Sequence, residues 1–177
     1  RISASTALVI FLYLNARGAA LGPNDGIDVK HYNFQLELND STDVIAGTAT
    51  IQILFKKDLK AFELDLTNKD SKGAGMTVSD VMLNGKSLPF DHQQDKLKIT
   101  LPEMSHTGDL KSVVISYKGI PQDGLMIGKN KFGDRIFFGD NWPERARHWL
   151  PTIDHPSDKA SVDFIVITPT VYEVIGN

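Results

Sequence analysis

Apolar side chains return at every second position through most of this chain, and that period decides what it can fold into. In HYNFQLELN, Tyr32, Phe34, Leu36 and Leu38 alternate with polar partners. After the turn-forming run Asn39-Asp40-Ser41-Thr42, IAGTATIQILF puts Ile51, Ile53 and Phe55 on one face. AFELDL alternates through Phe62, Leu64 and Leu66, DKLKITLPE through Leu97, Ile99 and Leu101, and KSVVISYKG through Val113, Ile115 and Tyr117. Successive side chains of a strand point to opposite sides of a sheet, so such runs build sheets with one buried face. Asn84-Gly85, between short apolar runs, signals a two-residue hairpin, because a type I′ turn needs positive φ at both central positions. ASVDFIVITPTVYEVIGN adds Val162, Phe164 and Val166, a break at Thr168-Pro169, and a further apolar run in VYEVI. No stretch of about a dozen residues carries a helical period. The pattern predicts an all-β fold, a saddle-like β-sandwich of mostly antiparallel sheets with long ordered loops.

At 177 residues, 41% of them hydrophobic, the chain suffices for one domain with a substantial core and is too short for two ordinary ones. The turn cluster Pro23-Asn24-Asp25-Gly26 opens that domain, which is assigned to residues 23–177. Residues 1–22 form an N-terminal extension in which Arg1 precedes the apolar run ALVIFLYL. That run reads equally as a β-strand or as the remnant of a secretory signal peptide, and a signal would imply a periplasmic or secreted protein. It is too short to cross a bilayer, so no membrane partner is expected. A net charge of −3 and a pI near 5.9 give no basic excess, which argues against nucleic acid. The absence of Cys excludes disulfides, a thiolate nucleophile and Cys-ligated metals.

Local catalytic signatures are missing. The chain has no H-E-x-x-H, G-x-S-x-G, G-x-G-x-x-G or G-x-x-x-x-G-K-[ST]. His31 falls in a strand, and His92 and His106 fall in loops by pattern. His148 and His155 are near each other in sequence, but their spacing fits no common zinc motif and no third ligand is suggested. Asp134, Asp140, Glu144, Asp154, Asp158 and Asp163 are plentiful, yet spacing alone puts no two of them across a cleft for glycoside hydrolysis. Residues 120–140 are Gly-rich without a clean period; Met126, Phe132, Phe137 and Phe138 read there as plugs anchoring a long connection.

One stretch, NWPERARHWLPTIDHPSDKASVDF, is distinctive. It holds Ala146-Arg147, Pro151, Asp154, Pro156 and Lys159-Ala160, followed by Asp163-Phe164. Those letters resemble the signature that closes the N-terminal domain of the aminopeptidase N and leukotriene hydrolase family of zinc metallopeptidases. Upstream, DVKHYNFQLEL followed by IAGTATIQI is similar to the family's opening hairpin, and YKGIPQDGLMIG looks like its Y-x-G segment. The resemblance covers about residues 25–177.

The resemblance implies a β-saddle domain whose partner is the catalytic domain of the same polypeptide, with peptides as substrates. Zinc and its ligands would belong to that other domain, so no cofactor, metal ligand or catalytic residue is expected here, and the chain alone should hydrolyse nothing. The ending at Ile175-Gly176-Asn177 reads as a truncation before the catalytic domain. The family keeps a Gln or Glu five residues before the signature Arg, to hold the substrate's α-amine; here that position is Trp142. An indole offers no acceptor, but its face attracts an ammonium, and Asn141 or Glu144 would supply the oxygen. The other reading of Trp142 is a packed core or interdomain aromatic. Thr152 and His155 replace the family's Cys and Glu, both mild changes. Arg147, Pro151, Asp154, Pro156 and Lys159 read as architectural: Arg147 can donate to loop carbonyls or Asp154, while the prolines restrict the chain on either side. The rival reading is a non-catalytic β-sandwich module that binds carbohydrate or protein on Trp142 and Trp149.

Overall fold

The computed structural model describes residues 26–176, so the extension at residues 1–22 lies outside the described residues. Eleven strands follow in chain order among them. They are β1 (Ile27–Glu37), β2 (Ile45–Phe55), β3 (Leu59–Asp65), β4 (Gly75–Leu83), β5 (Lys86–Ser87) and β6 (Phe90–Gln93), then β7 (Lys96–Ser105), β8 (Leu110–Ile120), β9 (Leu125–Lys129), β10 (Arg135–Gly139) and β11 (Ser161–Ile167). Six form one sheet in the order β11-β1-β2-β8-β4-β5; β3-β7-β6 form a second, and β9 and β10 a hairpin. The all-β, mostly antiparallel sandwich expected from the alternation is what forms.

The alternating residues land where the period puts them. Phe34, Leu36, Ile51, Ile53, Phe62, Leu64, Leu97, Ile99, Val113 and Ile115 share one buried cluster between the two larger sheets. Phe55 of the large sheet meets Phe62 of the small one edge to face, their centroids 5.8 Å apart. Asn84 and Gly85 take φ values of 51° and 74°, closing the β4–β5 hairpin as the pair's chemistry requires.

Two tyrosines of this core differ in a measurable way. The Tyr32 hydroxyl accepts from the Ile153 backbone N–H at 3.0 Å and meets Thr152 Oγ1 at 3.3 Å, tying β1 to the loop before β11. Burial pushes its phenol up to about 12. The Tyr117 hydroxyl is equally buried but finds no protein partner. Tyr32→Phe is therefore expected to cost about 1–3 kcal/mol by stranding a buried N–H, and Tyr117→Phe to be neutral or stabilising. Denaturant midpoints of the two variants check the contrast.

Four sequence expectations give way. Residues 120–140 are not a plugged connection: they contain the β9–β10 hairpin, with Met126 paired to Phe138 and both exposed, as is Phe132. Only Phe137 packs inward, against Tyr172. His92 lies in β6 rather than a loop, its Nε2 bonded to the Leu66 carbonyl at 2.8 Å. VYEVI forms no strand. Val162 and Phe164 of β11 are largely exposed, because β11 is an edge strand that pairs parallel to β1 on one side only.

A latch at the far end of the sandwich joins the β2–β3 and β7–β8 turns. Asp58 accepts from the Thr107 N–H at 2.9 Å and from His106 Nδ1 at 3.0 Å. The hydrogen bond to Asp58, helped by its charge, lifts His106 above 6.5; the bonds from His106 and the Thr107 N–H hold Asp58 below 3.8. Asp109 adds to the His106 shift and Lys111 opposes it. The His106 contribution is full below 6.5 and is lost as pH rises through the raised folded value; that of Asp58 is present above 3.8 and is lost as pH falls through the lowered one. The latch therefore works best between 3.8 and 6.5. His106→Gln should lower the melting temperature in that window, and the gap should close as pH rises beyond it.

Candidate functional site

The distinctive stretch folds as a corner pinned from three directions. Arg145 N–H closes back on the Asn141 carbonyl at 3.1 Å, and residues Ala146–His148 make a single 3₁₀ turn. Trp149, 5% exposed, anchors the corner in the core. Its indole stacks on Phe164 of β11 at 6.2 Å, and its Nε1 donates to Asn141 Oδ1 at 2.9 Å. Gly124 explains how the indole fits: a Cβ there would lie 2.3 Å from the Arg145 carbonyl oxygen and 2.9 Å from the Trp149 ring.

Arg147 and Asp154 are brought together. The Arg147 backbone N–H and Nε both donate to Asp154 Oδ2, at 3.1 and 3.0 Å, while the second guanidinium nitrogen (Nη2) donates to the Asp154 carbonyl at 2.8 Å. The same nitrogen reaches Glu144 Oε2 at 3.3 Å. Burial works against the guanidinium charge, but the Asp154 bond and the charges of Asp65, Asp154 and Glu144 outweigh it and hold Arg147 above its ordinary value. Planar, five-donor geometry suits one side chain to several acceptors at once. Pro151 is buried; Pro156 and Lys159 are exposed, and neither joins the Arg147–Asp154 pair.

Asp65, at the end of β3, is the member sequence reasoning missed. It is 3% exposed. Its backbone N–H donates to the Thr152 carbonyl at 2.7 Å and its carbonyl accepts from the Thr152 N–H at 3.1 Å. Its Oδ2 accepts from the Asp154 N–H at 3.0 Å, and its Oδ1 pairs with Lys96 Nζ and faces Arg147 Nη1 at 3.8 Å. In AFELDL it looked like an outward polar partner; a loop almost ninety residues downstream covers it.

Trp142 projects from this frame, 75% exposed, so it is not a core aromatic. Its backbone N–H donates to Asp140 Oδ1 at 3.3 Å, and Arg145 pairs with Asp140 and Asp123 at 3.2 and 3.5 Å. The two candidate oxygens beside it are both engaged, Asn141 Oδ1 by Trp149 and Glu144 Oε2 by Arg147. A carbohydrate platform built on both tryptophans is ruled out by the burial of Trp149.

The histidines do not make a metal centre. His148 Nδ1 bonds Thr67 Oγ1 at 3.0 Å and His155 Nδ1 bonds Ser157 Oγ at 2.7 Å. Among the described residues no three His, Asp or Glu side chains converge where a metal would be held. No described helix is long and apolar enough to cross a membrane.

No curated protein matches the chain's sequence. Among solved structures it is similar to the M1 zinc metallopeptidase of Deinococcus radiodurans, with a TM-score of 0.67 and 27% identity over 81% of this chain and 33% of that one. A mutant of that enzyme bound to a Tyr-Ser-Ala substrate matches at a TM-score of 0.68 and 25% identity, over 82% and 33%. A two-domain M1 zinc metallopeptidase mutant bound to L-tryptophan matches at 0.68 and 27%, over the same shares. The chain thus spans about a third of the length of these enzymes. The family model for the peptidase M1 N-terminal domain matches residues 28–177, nearly all of the described chain, and with the fold, the Arg147–Asp154 corner and these neighbours it places the protein in the M1 peptidase family, as an N-terminal domain of that family.

Proposed function

We propose that this domain belongs to a zinc aminopeptidase, in which it walls the substrate cleft and helps to orient the N-terminus of a bound peptide. The observation that carries this reading is Trp142, exposed on a frame fixed by Asn141–Trp149, Arg145–Asp140 and Arg147–Glu144. A large aromatic surface carried on a pinned loop and left uncovered is the kind of group that anchors a partner or ligand. Along β11, Val162 and Phe164 are exposed on one face and Ile165 and Ile167 on the other, leaving this edge strand apolar enough for a second domain to pack beside the cleft. One neighbour is a two-domain enzyme, and another holds a three-residue peptide.

The catalytic domain of the same polypeptide would hold the zinc, which as a Lewis acid activates water against the first peptide bond. The part played by this chain is positional. The Trp142 face attracts the peptide's ammonium, and Glu144, whose Oε2 is bonded to Arg147, adds negative charge two residues further on. In the full polypeptide, Trp142→Ala should raise KM for a peptide substrate about tenfold while kcat stays within about twofold, the loss of a cation–π contact of ~1–2 kcal/mol. Stability should change by less than about 0.5 kcal/mol, because the side chain packs on so little. Unchanged kinetics would remove Trp142 from the substrate site.

A further inference from the structure

Glu144 reaches the buried part of the corner through one side chain, Arg147, and Arg147 is itself aimed by two buried carboxylates, Asp154 and Asp65. Asp154 lies on the same loop as Arg147, so it moves with it. Asp65 lies on β3, in the opposite sheet, and is the fixed point. Three hydrogen bonds tie it to the corner, its backbone N–H and carbonyl with Thr152 and its Oδ2 with the Asp154 N–H, while Oδ1, bonded to Lys96, faces the Arg147 charge at 3.8 Å.

We infer that Asp65 is a positioning residue, which registers the exposed Trp142–Glu144 loop against the small sheet through Arg147. Its carboxylate sets where the guanidinium lies, the guanidinium sets Glu144, and Glu144 fixes the segment that carries Trp142. Lys96, the other cation on Asp65, is half exposed and makes no bond to the corner loop; its role is to balance charge rather than to transmit position. The consequence for substrate rests on the aminopeptidase reading above, whereas the placement of the indole does not.

The chain has two tryptophans, one exposed at position 142 and one buried at 149, so 5-fluorotryptophan labelling gives two fluorine resonances that report loop and core separately. Asp65→Asn should broaden or split the Trp142 resonance and leave the Trp149 resonance sharp. Lys96→Met should leave both in place. Should Asp65→Asn fail to fold, Glu144→Ala, an exposed change that cuts the last link, should broaden Trp142 alone. An undisturbed Trp142 line in folded Asp65→Asn or in Glu144→Ala, equal broadening in Lys96→Met, or joint movement of both lines would overturn the assignment. In the full polypeptide, Asp65→Asn should raise KM about tenfold and leave kcat near its original value, the mark of lost binding rather than lost chemistry. If the polypeptide cleaves no peptide while the Trp142 line still responds to Asp65→Asn, the aminopeptidase reading falls and the positioning assignment stands.

Discussion

Asp154→Ala is expected to destabilise the domain by about 2–3 kcal/mol, the cost of removing the carboxylate from a partly buried, charge-assisted set of hydrogen bonds. Asp154 is 8% exposed and its Oδ2 takes two bonds from Arg147. Without it the guanidinium, confined between Asp65 and the loop, keeps only one close carboxylate in the interior and loses its best-aligned acceptor. The charge is far costlier to leave unpaired there than at the surface. Asp154→Asn preserves shape and an acceptor and should cost about 1–2 kcal/mol. Urea unfolding of both variants measures the difference. A loss below about 1 kcal/mol for the alanine would mean that the pair is worth no more than a surface one.

Gly119→Ala should be at least as damaging, about 3 kcal/mol or more, because backbone rather than a yielding side chain stands in the way. A Cβ on Gly119 would lie 2.0 Å from the Gly75 carbonyl oxygen and 2.8 Å from Met76 Cα on the neighbouring strand β4. β4 cannot withdraw. On its other side Met76 donates its N–H to the Thr67 carbonyl at 2.8 Å and accepts from the Lys69 N–H at 3.1 Å. Gly75 itself has φ of 104°, and a Cβ there would lie 2.1 Å from the Asn68 carbonyl oxygen, so the packing is tight through three layers of chain. Gly128→Ala is the control, as nothing lies within 4 Å of its Cβ position. Thermal melts should separate the two by about 6–12 degrees, given about 2–4 °C per kcal/mol for a domain of about 150–250 residues.

That glycine also shows why part of the sequence was readable. Tyr117, Lys118 and Gly119 were visible as a Y-x-G phrase, and Gly47 as the small residue of IAGTATIQI. In three dimensions the two phrases meet: Gly47 pairs with Tyr117, and a Cβ on Gly47 would lie 2.4 Å from the tyrosine ring. The core strands were legible for a similar reason, since one buried face writes its period directly into the chain. β9 and β10 were not, because Met126 and Phe138 face outward and blur the alternation. β6 is four residues long and carries His92 among polar neighbours, too short for any period to show. Asp65 was hidden by distance: its burial is decided by residues 147–154, which no local window contains. The bond between Arg147 and Asp154 spans seven positions and could be anticipated from side-chain chemistry alone.

The parallel pairing of β1 with β11 has a consequence for how the protein is made. His31 lies opposite Ser161, and their side chains bond across 130 positions of sequence. At the usual ribosomal pace of about 5–20 residues per second, the outer edge of β1 waits on the order of ten seconds for its partner. During that interval β2 covers one edge of β1 while the other presents open backbone groups alongside Phe34 and Leu36, a template for strands from other chains. β11 thus acts as a lock that closes only once Ser161–Ile167 has emerged, and nascent chains released before Ser161 should be the ones that chaperones hold.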